Sequence, residues 1–161
     1  MKDMVRLGCI CLLILIGSAV HAQAEDAYWQ HEPATPGDWF APGNWSTGLL
    51  PGPGDTAHID NDGTALVGSG AIDISELQLG DSFTGGLIQS GGDVVVGSVG
   101  VAEGSQDGLT GGKLQINNDF DLHGTLDFGS GNAAVTIGDN AEINWSQGRL
   151  LNAGNTSVRA G

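Results

Sequence analysis

The densest run of metal-ligating side chains is His58-Ile59-Asp60-Asn61-Asp62-Gly63, where oxygen donors recur before a glycine as they do in a calcium loop. The run departs from that loop at two decisive places. His58 stands where the first carboxylate belongs, and Ser69 stands where the bidentate acid six residues past the glycine belongs. Ser90-Gly91-Gly92-Asp93 likewise misses the Gly-Gly-x-Gly-x-Asp calcium repeat, because Asp93 directly follows the second glycine. His31, His58 and His123 are far apart and have no cysteine to complete a zinc cluster. No metal and no cofactor is therefore expected. Asp121 and Asp127 lie on adjacent strand units, and glycoside hydrolysis requires two carboxylates at a set separation. Both are also ordinary solvent-facing positions of a strand, so no catalytic residue is assigned. A lyase for acidic sugars would need cations, and past the leader the chain offers Lys113, Arg149 and Arg159 alone.

Trp29, Trp39 and Trp45 fall within 16 residues of one another. Such a set can stack on the apolar faces of sugars or plug the end of a repeat array, and both readings stand on sequence alone. Asp55, after Gly54 at the entrance to a strand, is expected to cap a turn by accepting backbone N–H groups.

These residues must be positioned by a run of short strands. From Gly112 onward, apolar pairs flank one polar residue: Leu114/Ile116, Phe120/Leu122, Leu126/Phe128, Val135/Ile137 and Ile143/Trp145, around Gln115, Asp121, Asp127, Thr136 and Asn144. Period-two alternation buries the pairs and exposes the middle residues. Glycine, Asn and Asp between the units suit corners that need positive φ. One such coil cannot bury its apolar face, whereas coils stacked about 4.8 Å apart pair their backbones and share an interior column. Each inward aliphatic or aromatic side chain then contributes about 1.5–3 kcal/mol. A longer repeat aligns Gly86–Val96 with Gly112–Leu122 and Gly148–Val158, with starts 26 and 36 residues apart. Unequal spacing favours a solenoid over a propeller or sandwich. At roughly twenty residues a coil, about five coils are expected.

Residues 1–22 read as an export signal, with Lys2 and Arg6 before an apolar run from Leu7 to Ile16 that is too short to span a bilayer. Cleavage is placed after Ala22, with Ala24 as the alternative. Both cysteines, Cys9 and Cys11, belong to the removed segment, so the exported chain holds together without disulfides. Removing 22 of the 161 residues takes two of the 5 Lys and Arg and one of the 19 Asp and Glu, leaving three cations against eighteen acids, a net charge of −15. That excludes nucleic acid as a partner, since phosphate binding needs clustered cations. No later segment is long and apolar enough for a transmembrane span. All five prolines lie between Pro33 and Pro53 and divide the rest into a Trp/Pro-rich zone, 23–57, and a strand-and-turn zone, 58–161. The chain stops at Gly161 soon after the third repeat copy begins, so a carboxy-terminal truncation is expected, and with it an exposed last coil open to self-association.

Trp29, Gly37-Asp38-Trp39, Gly43-Asn44-Trp45-Ser46, Gly48, Pro51, Gly54-Asp55-Thr56-Ala57 and Ile59 resemble the opening of large secreted bacterial surface proteins of the autotransporter-associated β-strand type. Related chains often carry a carboxy-terminal Pro-Glu-Pro sorting signal, and no Pro-Glu-Pro motif occurs in this sequence. The resemblance covers roughly residues 27–100. It implies a right-handed parallel β-helix exported to the cell surface or beyond, without catalytic residues. The expectation is thus an all-β, short, right-handed parallel β-helix (β-solenoid) with a Trp/Pro-rich cap. It would serve as a non-enzymatic structural or adhesive module with polysaccharide or other surface proteins as partners. The alternative is a carbohydrate-binding or polysaccharide-degrading protein whose catalytic part lies outside this chain.

Overall fold

Alternation does produce strands, and the strands stack in parallel. The computed structural model describes residues 24–129, 133–138, 142–144 and 148–151. The described chain is almost entirely strand, wound as a β-solenoid of about four turns. The export segment 1–22, Trp145 and most of the third repeat copy lie outside the described residues, as does the proposed cleavage residue Ala22, whereas Ala24 is exposed ahead of the first strand.

The coils build three columns of paired segments; four coils contribute to all three, and the first and last described coils to the first two. The first column holds β1 (Asp26–Tyr28), β3 (Thr56–Ile59), the second half of β5 (Ala71–Leu79), the end of β6 (Gly86–Val101), β8 (Phe120–Leu122) and β11 (Ile143–Asn144). The second holds β2 (Gly37–Asp38), β4 (Thr64–Val67), the starts of β6 and of β7 (Gln106–Ile116), β9 (Thr125–Asp127) and β12 (Arg149–Leu151). The third holds the start of β5, the middle of β6, the end of β7 and β10 (Ala134–Ile137). Thr56 pairs with Glu76, Glu76 with Ser98, Val99 with Phe120 and Phe120 with Ile143, steps of 20, 22, 21 and 23 residues.

The register corrects the longer repeat read from sequence. Gly86 pairs with Gln106, and Gly112 lies against Gly92 rather than under Gly86. The true repeat is the corner between the second and third columns, where Gly70, Gly92 and Gly112 have φ of 93°, 75° and 78°. A Cβ on Gly112 would stand 2.3 Å from the Gly92 carbonyl oxygen, so position and backbone both demand glycine.

The inward residues form one continuous core from Ala27 to Leu126. Leu114, Ile116, Phe120, Leu122 and Leu126 are buried as the alternation requires, with Phe128, Val135 and Ile137 partly buried against them. The middle residues Gln115, Asp121, Thr136 and Asn144 are exposed, while Asp127 is half-buried. Two polar residues interrupt the inward columns. Gln89, between Val67 and Leu109, donates from Nε2 to the carbonyls of Gly92 and Lys113 at 3.2 and 2.9 Å. Asp107, between Leu87 and Leu126, is 0% exposed, and neither carboxylate oxygen has a hydrogen-bond partner. Burial pushes its pKa up to about 7.

The Trp/Pro-rich zone is woven into the solenoid. Its strands β1 and β2 pair with β3 and β4, and the compositional boundary at 57/58 falls inside β3. The outer side of β1 is covered by its own chain: Trp29 and Trp45 form an antiparallel bridge, Ser46 N–H donates to Tyr28 O, and Ser46 Oγ accepts from Tyr28 N–H. A single 3₁₀ turn, Pro42–Asn44, delivers this segment.

Candidate functional site

The three tryptophans are 1–3% exposed and interlock edge to face inside the first coil. Trp45 lies 4.9 Å from Trp29 and 4.7 Å from Trp39 between ring centroids, and its Nε1 donates to Trp39 O at 2.9 Å. They are core, and no ring face is open to a sugar. Asp55 acts as a cap: Oδ2 accepts from Gly52 N–H at 2.8 Å and Oδ1 from Glu25 N–H at 2.9 Å.

The calcium-like run closes the connection between β3 and β4, and its acids are already occupied. Asp60 Oδ1 accepts from the N–H groups of Asp81 and Phe83 at 2.9 and 2.6 Å, and Asp62 Oδ1 accepts from Thr84 N–H and Oγ1 at 3.1 and 2.9 Å. These bonds tie one coil's loop to the next. Among the described residues no three His, Cys, Asp or Glu side chains converge on a metal-sized point. Asp121 and Asp127 sit on β8 and β9, which belong to different columns on either side of the His123–Gly124 corner, so the solenoid does not set them on one face. Asp127 turns back to accept from Gly129 N–H at 2.8 Å.

What the fold does assemble is a shallow groove of about 550 Å³ along the first column. Outward positions there repeat coil by coil: Tyr28, His58, Gln78, Gly100, Asp121 and Asn144 are in register. Tyr28 and His58 stack at 4.6 Å with rings 12° from parallel, and His58 Nε2 lies 3.5 Å from Asp26 Oδ1. Gly100 interrupts the column, and the Gln78 amide lies over it, held by a hydrogen bond from Nε2 to Glu76 Oε1. A Cβ on Gly100 would meet Gln78 Oε1 at 2.3 Å. Gly80, Gly100 and Ala102 form the low part of the groove, and Asp26, Glu76, Asp81 and Asp121 carry its acidic groups.

His58 and His123 thus meet in one groove although 65 residues separate them, whereas His31 packs against Trp29 away from it. Sequence reasoning passed over Asp26, Tyr28, Glu76 and Asp81. The available signal was the recurrence of polar-x-polar triplets, Asp26-x-Tyr28, Thr56-x-His58, Glu76-x-Gln78 and Asp121-x-His123, each around a buried apolar residue. Comparison with protein-family models, with curated proteins and with solved structures returns no match for this chain.

Proposed function

We propose that the chain is an exported, non-enzymatic structural or adhesive module that holds extracellular polysaccharide, or another surface protein, against the first column. The observation that carries this reading is the in-register ladder of outward polar side chains lining a long, open groove. Such a surface offers a polymer a polar contact on each coil of the column except at Gly100, so several weak hydrogen bonds add along its length. The amino-terminal leader, the absence of cysteine after Cys11, the acidic composition and the resemblance to autotransporter-associated β-strand proteins support an exported setting. The cation supply favours binding over lyase chemistry, since Lys113 and Arg149 lie on the third and second columns, away from the groove.

The test is binding of the folded protein to a panel of immobilised polysaccharides, repeated with Glu76→Ala and Asp121→Ala. A ladder loses affinity gradually, about two- to tenfold for each exposed polar contact removed. Abolition of product formation by one carboxylate replacement would instead establish a polysaccharide-degrading protein.

A further inference from the structure

We propose that the groove selects a cationic glycan, a polymer of hexosamine with free amino groups, and that Asp81 and Asp121 are its principal charge partners. The inference rests on the polysaccharide reading and adds the ligand's charge. Four carboxylates, those of Asp26, Glu76, Asp81 and Asp121, line the groove, and no Lys or Arg does. Asp26 and Glu76 have partners within the column, His58 and Gln78. Among the described residues the carboxylates of Asp81 and Asp121 accept no hydrogen bond and form no ion pair, although both face the same groove. An anionic glycan would meet four carboxylates against the two imidazoles of His58 and His123 and be disfavoured, and a neutral one would leave the charges of Asp81 and Asp121 unanswered.

The shape argues for a sugar chain over a basic peptide. The low part of the groove is glycine and alanine, without the deep alternating pockets by which a sheet edge or face sorts peptide side chains. Tyr28, 49% exposed, offers an aromatic edge and a hydroxyl at one end, suited to the mixed apolar and hydroxylated surface of a pyranose. The column advances about 4.8 Å per coil, comparable to the advance of an extended glycan per ring, and the carboxylates fall on alternate coils, at Asp26, at Glu76 with Asp81, and at Asp121, so amines on every second sugar can meet them.

The experiment is calorimetric titration of the whole folded chain at pH 5.5 with a glucosamine hexamer, an N-acetylglucosamine hexamer, a galacturonate hexamer and hexalysine. The glucosamine hexamer should bind about tenfold or more tighter than the acetylated one, with the galacturonate silent. Asp81→Asn with Asp121→Asn should erase that preference. Asp73→Asn with Asp93→Asn, an equal change of charge on exposed positions of the third column, should leave it intact. Circular dichroism verifies that both double variants are folded. Equal binding of the two hexosamine hexamers overturns the inference and leaves the polysaccharide reading standing. Equal loss in both double variants, or hexalysine binding as tightly as glucosamine, also overturns it. Failure of every glycan, neutral or charged, removes the polysaccharide reading itself.

Discussion

Asp107 is the residue that the fold tolerates least comfortably. A carboxyl group with no hydrogen-bond partner, set between Leu87 and Leu126, is held neutral by its surroundings, since an ionised group there would lose its hydration without compensation. Its folded pKa of about 7 lies above the ordinary 3.8. Between those values the folded chain keeps a proton that the unfolded chain releases. Its contribution to stability is therefore complete below about pH 4 and is lost as the pH rises to about 7, a change on the order of 4 kcal/mol. Urea unfolding followed by Trp fluorescence at pH 4.5 and 8 should show the wild type weaker at the higher pH. Asp107→Asn, which cannot ionise, should lose most of that difference, and an unchanged difference in the variant would refute the assignment. Nothing in Gln106-Asp107-Gly108-Leu109 marks this aspartate as inward, because residue type argues outward and only the register against Leu87 turns it in.

At the scale of the elements, the first coil is where side-chain packing substitutes for a missing neighbour. Trp29, Trp39 and Trp45 close the amino-terminal end of the core, and Trp45 touches both others while satisfying its indole N–H. Trp45→Ala should cost about 3–5 kcal/mol in urea unfolding. The loop carrying Asp60 and Asp62 makes a contrasting case. Calcium or a chelator should leave the melting temperature unchanged, whereas Asp60→Ala should cost about 0.5–1.5 kcal/mol by removing the exposed hydrogen bonds from Asp81 and Phe83 N–H that tie this loop to the next coil. The strand units were legible in the sequence because alternation of Leu114/Ile116 and Phe120/Leu122 has one physical meaning. Their stacking was not legible, because glycine is frequent enough that Gly86 aligns with Gly112 as readily as Gly92 does. Without the register the groove could not be assembled either: its residues run from Asp26 to Asp121, and a first step of 30 residues followed by steps of 20–22 brings them into line.

For the whole molecule, stability follows a nearly one-dimensional array in which each coil touches its immediate neighbours. The most extensive pairing joins β6 to β7, interrupted by register shifts around Ser90, with β5 and β8 flanking β6. Hydrogen exchange should accordingly be slowest in the β6 and β7 amides, and faster exchange there than in β1 or β9 would show that the coils do not share stability in this way. The antiparallel bridge and the Ser46 bonds along the outer side of β1 add a polarity to this array. They shut one end of the stack to further strands, so pairing can propagate away from that end only. A chain that emerges amino end first can therefore close like a zipper, each finished coil serving as the template for the one still arriving.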